Sequence, residues 1–160
     1  MKQNTIKEEA LRPGPATAGA EKPPVVEKFD LAHLDERVLT ALNAAAEKKA
    51  VEVTVLDLRG IASFTDYFVI ASGTNVRQVQ AIADEVVEQL KHQGTRAARV
   101  EGYQKAEWVL VDYGDFILHV FEHKARRFYD LERLWRDAPR CDVPPDAVGQ
   151  MSESSLRKES

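Results

Sequence analysis

Apolar and polar positions along this chain fall into regular periods in the middle and lose them at both ends. Behind Asp30, a residue suited to N-capping, Leu31, Leu34, Val38, Leu42 and Ala45 recur at steps of three and four. This predicts an amphipathic helix that closes on Lys48 and Lys49, where the helix dipole favours cations. Val51, Val53 and Val55 then alternate with Glu52 and Thr54, the period of a strand, which stops near Arg59-Gly60. A second strand runs from Tyr67 to Ser72. Tyr67-Phe68-Val69-Ile70-Ala71 is apolar without alternation, so this strand is expected to be covered on both faces.

Gly73 leads into the best-defined helix. Asn75 and Gln78 form a capping-box-like pair, Val76, Val79, Ala83, Val86 and Leu90 make one stripe, and Gly94 follows Lys91 and His92 as a stop. A third strand around Ala97 to Glu101 completes a crossover expected to be parallel and right-handed. Trp108 to Tyr113 and Phe116 to Phe121 flank Gly114-Asp115, a loop that suits a type II′ hairpin turn. A last helix is predicted over Lys124 to Trp135 with Phe128, Leu131, Leu134 and Trp135 on its apolar side, and Pro139 ends the ordered pattern. The fold class is α/β: a single mixed sheet of about five strands with flanking helices, in the order α-β-β-α-β-β-β-α.

The two ends carry no such pattern. Residues 1–28 contain Pro13, Pro15, Pro23 and Pro24 and few large apolar side chains, and residues 140–160 contain Pro144, Pro145 and a Ser-rich finish. Neither buries enough surface to offset the entropy of ordering, so both read as disordered tails around a domain at 29–139.

Counting outward from Gly114-Asp115 pairs Tyr113 with Phe116, Asp112 with Ile117, Val111 with Leu118, Leu110 with His119, Val109 with Val120 and Trp108 with Phe121. Directly paired residues share a face. One face is then Val109, Val111, Tyr113, Phe116, Leu118 and Val120, apolar throughout, and must be core. The other carries Trp108, Leu110, Asp112, Ile117, His119 and Phe121, large apolar groups beside a carboxylate and an imidazole. Two readings fit it: an interaction patch, or a face covered by a helix with Asp112 paired to an arginine such as Arg126. A register slip of one residue would exchange the faces.

Charge narrows the function classes. A net charge of -4 over 160 residues and a pI of about 5.6 disfavour a protein that grips phosphate backbones, and no sequence-specific nucleic-acid contact is expected. An acidic chain suits a basic protein partner. Cys141 is alone, so neither a disulfide within the chain nor a cysteine metal cluster is available. No apolar run approaches the roughly 18 residues of a membrane span, and Glu8 and Glu9 are unlike a targeting peptide, which leaves the cytoplasm as the expected location.

Candidate chemistry is sparse. Ser72-Gly73-Thr74-Asn75 offers amides at a helix start, a pattern that an ordinary cap also needs. Asp112 and Asp115 straddle a tight turn, poorly placed to converge on one metal ion, and Asp57 and Asp66 are no better spaced. His119 and His123, four apart, would lie ~13 Å apart along a strand. Arg126, Arg127, Arg133 and Lys124 are interleaved with Glu122, Asp130 and Glu132, the pattern of an ion-paired helix face. No catalytic residue and no metal ligand emerges.

Three blocks carry a family resemblance. They are Ser63-Phe64-Thr65-Asp66-Tyr67-Phe68-Val69-Ile70-Ala71-Ser72-Gly73-Thr74-Asn75 with Arg77-Gln78-Val79; Glu101-Gly102 with the hairpin Trp108 to Phe121; and Arg126-Arg127-Phe128-Tyr129-Asp130-Leu131-Glu132-Arg133-Leu134-Trp135. In order and content they resemble the ribosome-silencing factors, or Iojap-related proteins. The resemblance implies a nucleotidyltransferase-like fold without transferase activity and without a cofactor. It implies binding to the large ribosomal subunit through its ribosomal protein number fourteen. Joining of the small subunit is then blocked sterically and translation repressed when nutrients are scarce. Members are expected to form homodimers. Carried onto this chain, the contact residues are Trp108, Leu110, Asp112, Tyr113, Asp115 and His119, with Trp108 as anchor and Asp112 as acceptor for a partner cation. Arg77 and Tyr129 are expected to support them. The alternative is a nucleotide-binding or nucleotidyltransferase-like enzyme built on Ser72 to Asn75 and the two turn aspartates.

Overall fold

The structure, a computed structural model, describes residues 5–12, 31 and 34–144. In chain order its elements are α1 (Ile6–Ala10), α2 (Glu36–Glu47), β1 (Val51–Asp57), β2 (Tyr67–Gly73), α3 (Val76–His92), β3 (Arg99–Glu101), β4 (Trp108–Asp112), β5 (Phe116–Glu122), α4 (His123–Tyr129), α5 (Leu131–Leu134) and β6 (Arg140–Val143).

The long helices form where the periodicity places them, with local adjustments at their starts. Asp35 caps α2, its Oδ1 accepting from the Arg37 amide at 2.8 Å, while Asp30 lies outside the described residues. At α3, Asn75 Oδ1 accepts from the Gln78 amide at 2.9 Å, and Gln78 Oε1 accepts in return from the Thr74 amide at 2.7 Å. The reciprocal pair closes one residue upstream of an ordinary capping box, satisfying the Gln78 amide that the helix leaves unpaired and the Thr74 amide just before the cap.

Among the described residues the sheet has six strands in the order β3-β4-β5-β2-β1-β6, not the five of a nucleotidyltransferase-like arrangement. β2 pairs with β5 in parallel, and the other neighbours are antiparallel. β3 therefore runs parallel to β2, as the crossover predicts, but α3 carries the chain past β5 and β4 to the far edge. The sixth strand is the main departure. Residues 140–143, read from sequence as the start of a tail, pair with β1, and Thr54 Oγ1 donates to Asp142 Oδ1 at 2.8 Å. Thr54 is buried in consequence, although alternation marks it as a solvent-facing position. The N-terminal tail contributes as well, since α1 lies within the segment read as disordered.

Each face of the sheet has its own core. Val55, Val69, Ala71, Val109, Val111, Tyr113, Phe116, Leu118 and Val120 pack beneath α2 and α3 with Val38, Leu42, Val79, Ile82, Val86 and Leu90. On the opposite face Leu56, Phe68, Ile70, Trp108, Leu110, Ile117 and Phe121 meet Ala10, Leu131, Trp135 and Ala138. The predicted last helix is broken between these positions. Asp130 adopts φ 49°, ψ 57°, a left-handed conformation that Asp tolerates better than most residues, and it separates α4 from α5. The break turns Leu131 and Trp135 onto the sheet. Phe128, expected on the apolar side, is left 81% exposed.

Candidate functional site

The β4–β5 hairpin has the register obtained by counting from the turn, Trp108 opposite Phe121 through Asp112 opposite Ile117. Gly114 has φ 83°, the conformation that glycine alone adopts without strain, and the Tyr113 amide donates to the Phe116 carbonyl at 3.0 Å. Asp112 Oδ1 accepts from the Gly114 amide at 2.8 Å, and Thr65 Oγ1 donates to the Gly114 carbonyl at 2.9 Å. Asp115 is exposed at the tip, where its Oδ2 accepts from Arg37 Nη2 at 2.7 Å while Arg37 also grips Asp35.

The six residues singled out by sequence do not share one open surface. Tyr113 belongs to the first core, stacked on Phe116 at 4.8 Å, and burial pushes its hydroxyl up to about 12. Leu110 and His119 are fully buried on the second face, and Trp108 is only 4% exposed. Asp112, half-buried, and Asp115 are the two that solvent reaches. The covered-face reading is thus the one realised for the ring end of the hairpin, without the Asp112–Arg126 pair. Arg126 instead donates to Glu132, at 2.9 Å from Nη2, and to Ser72 Oγ, at 2.8 Å from Nη1. Ser72 pairs with Phe121, four residues along β5 from Ile117, the partner of Asp112, so the two sites lie ~13 Å apart along the sheet.

Trp108 organises the covered face. Its Nε1 donates to His119 Nδ1 at 3.0 Å, and because an indole nitrogen only donates, the imidazole proton sits on Nε2. Burial, with Lys7 and Arg126 nearby, pushes the His119 imidazole down to about 3, so it stays neutral at physiological pH. The Trp108 ring stacks on Phe121 at 5.0 Å and meets Tyr129 at 4.7 Å. Tyr129 backs Trp108, the position proposed for it from sequence, whereas Arg77 is exposed at the start of α3.

What sequence reasoning missed is the outer cover. Lys7 Nζ sits 4.7 Å over the Trp108 ring and donates to the Trp108 carbonyl at 2.8 Å. Trp135 Nε1 donates to the Ala10 carbonyl at 2.6 Å, and Ala10 is fully buried. Gly102, at φ 78°, completes the seat, since a Cβ there would overlap both the Trp108 carbonyl oxygen and the Lys7 ammonium. One signal for α1 was available: Thr5 stands three residues before Glu8, and its Oγ1 accepts from the Glu8 amide at 3.1 Å.

Among the described residues, no group of three or more His, Cys, Asp or Glu side chains is placed to hold a metal ion, and no helix is long and apolar enough to cross a membrane.

Residues 31–160 match the family described as "Ribosomal silencing factor during starvation". The chain is 44% identical over 108 residues to the ribosomal silencing factor RsfS of Halalkalibacterium halodurans, covering 68% of this chain and 92% of that protein. It is 31% identical over 137 residues to the mouse "Mitochondrial assembly of ribosomal large subunit protein 1", covering 83% of this chain and 54% of that protein. A crystal structure of a Bacillus halodurans protein superposes with a TM-score of 0.60 at 42% identity, over 68% of this chain and 98% of that one. α1 precedes the family match.

Proposed function

This chain belongs to the ribosomal silencing factor family, and on that footing we propose that it binds the large ribosomal subunit through ribosomal protein number fourteen and excludes the small subunit. Membership makes it a ribosome-associated regulator of translation rather than an enzyme. Occupancy, not turnover, then carries the effect: a protein seated where the small subunit docks prevents joining without any chemical step. The working compartment under this reading is the cytoplasm, and any homodimer is secondary to the ribosome contact.

The observation that carries the contact site is the hairpin itself. Asp112 and Asp115 present carboxylates at one end of β4–β5, and Trp108 lies at the other, with Leu110 and His119 between. Carboxylates facing a basic ribosomal protein speed encounter, and an indole supplies the desolvated contact that dominates such interfaces. Tyr113 acts from behind, by fixing the turn through its packing on Phe116.

Sedimentation with purified subunits tests the reading. The protein is expected to travel with the large subunit and to reduce joined ribosomes; failure to co-sediment sinks it. Asp115→Arg is expected to weaken binding at least tenfold at low salt while leaving the unfolding curve nearly unchanged. An unchanged affinity would move the contact away from the turn.

A further inference from the structure

We propose that α1 is a built-in competitor for the ribosomal partner: it occupies in cis the Trp108 end of the contact face, and the two occupancies exclude one another. This rests on the reading of the β4–β5 hairpin as the contact surface.

The seat has the features of a receptor for a basic segment. The Trp108 carbonyl and ring receive the Lys7 ammonium, and the Glu101 and Glu107 carboxylates bias the site toward a cation, partly offsetting the burial that lowers the Lys7 pKa. Trp135 Nε1 offers a donor to a backbone carbonyl, and Ala10 fills the small apolar space beside it with Ile6 and Leu11 at its flanks. A lysine or arginine side chain with a small apolar neighbour, as a basic ribosomal protein presents in quantity, meets the same requirements.

The receptor and its occupant come from different parts of the chain. Trp108, Gly102 and Trp135 lie within residues 31–160, which match the family, whereas α1 lies before them. The Halalkalibacterium relative is matched over 92% of its length by only 68% of this chain. The seat is therefore part of the shared domain, and the plug belongs to sequence outside the match.

The plug is also suited to release. A helix of five residues is far below the roughly 12 to 15 needed for stability alone, so α1 is helical only while docked. Among the described residues its hold consists of two hydrogen bonds, one cation–π contact and three apolar side chains. α1 packs on the second core, across the sheet from α2 and α3, so its release leaves the first core intact.

Two full-chain variants test the proposal. Ala10→Arg cannot be accommodated in a fully buried position and should expel α1; Lys7→Glu sets a carboxylate against Glu101 and Glu107 and should weaken its seat. Ala10→Arg is expected to make tryptophan fluorescence more readily quenched by acrylamide and to tighten binding to purified large subunits. The gain is roughly tenfold if the parent is closed nine-tenths of the time. Lys7→Glu should move both readouts the same way by less. Tryptophans exposed with no gain in affinity would overturn the inference, as would weaker binding. Should Ala10→Arg fail to fold, Lys7→Glu decides alone, and unchanged affinity there overturns it too. If the parent and both variants all fail to bind the large subunit, the contact-face reading falls and takes this inference with it; a parent that binds and variants that gain nothing sink the inference alone.

Discussion

Across the sheet, Val109, Val111, Phe116, Leu118 and Val120 meet helices of 12 and 17 residues, whereas Trp108, Leu110, Ile117, His119 and Phe121 meet helices of 5, 7 and 4. Both sets are buried. The first face is sealed by elements whose own periodicity makes them helical, and its contacts are apolar. The second is closed by segments too short to persist unaided, tied down by polar groups: Lys7 to Trp108, Trp135 to Ala10, and Arg126 to Glu132 and Ser72. A cover assembled from short polar attachments opens in pieces. The face carrying the proposed contact residues is thus the one whose cover rests on short, separately attached segments.

Substitutions on both faces bear on this contrast. Phe116→Ala empties a fully buried site on the first face and is expected to cost about 4 kcal/mol by urea unfolding. A loss under about 1 kcal/mol would mean that the apolar face is not the main source of stability. Arg126→Ala strips the guanidinium from Glu132 and Ser72 on the second face, with an expected cost of about 3 kcal/mol. Replacing Arg126 and Glu132 together by apolar residues should cost less than the single change, because no carboxylate is then stranded.

His119 makes the second face acid-sensitive. Its imidazole is held down to about 3, against an ordinary value near 6.5, mainly by burial. Between those two pH values the unfolded chain binds a proton that the folded one refuses, so stability from this residue is complete above pH ~6.5 and falls as pH drops. The slope is at most about 1.4 kcal/mol per pH unit. His119→Phe should flatten that part of the stability profile; an unchanged slope would assign it to other groups. The smallest effect concerns α1: Trp135→Phe removes the donor to the Ala10 carbonyl and should cost about 1 kcal/mol. Amide exchange should then quicken at Glu9 and Leu11, whose amides donate to the Thr5 and Lys7 carbonyls, and leave α3 untouched.

The hairpin register was legible because it depends on a two-residue loop and strict alternation, both local properties. From it the first core could be written down residue by residue, and every member is buried there. The second face could not be resolved in the same way. Its composition was compatible with a patch or a covered surface, and the cover arrives from residues 6–11 and 131–138, neither of which advertises its destination. β6 was missed for a similar reason. Arg140-Cys141-Asp142-Val143 shows no apolar alternation and stands between prolines, and it becomes a strand because β1 offers an edge. The last helix was read as continuous because Asp130 is compatible with a helix interior; its left-handed conformation is visible only once Leu131 and Trp135 are drawn to the sheet.

By itself, then, the sequence determined the first five strands, the two long helices, the hairpin register and the family, since each rests on spacing within some twenty residues or on contiguous blocks. Which of the candidate contact residues are open and which are covered was decided only by tertiary structure. The bonds that settle it join Trp135 to Ala10 across 125 positions, Lys7 to Trp108 across 101 and Thr54 to Asp142 across 88. No periodicity encodes a partner so distant. It is chosen by the shape and unpaired polar groups that the rest of the fold leaves exposed.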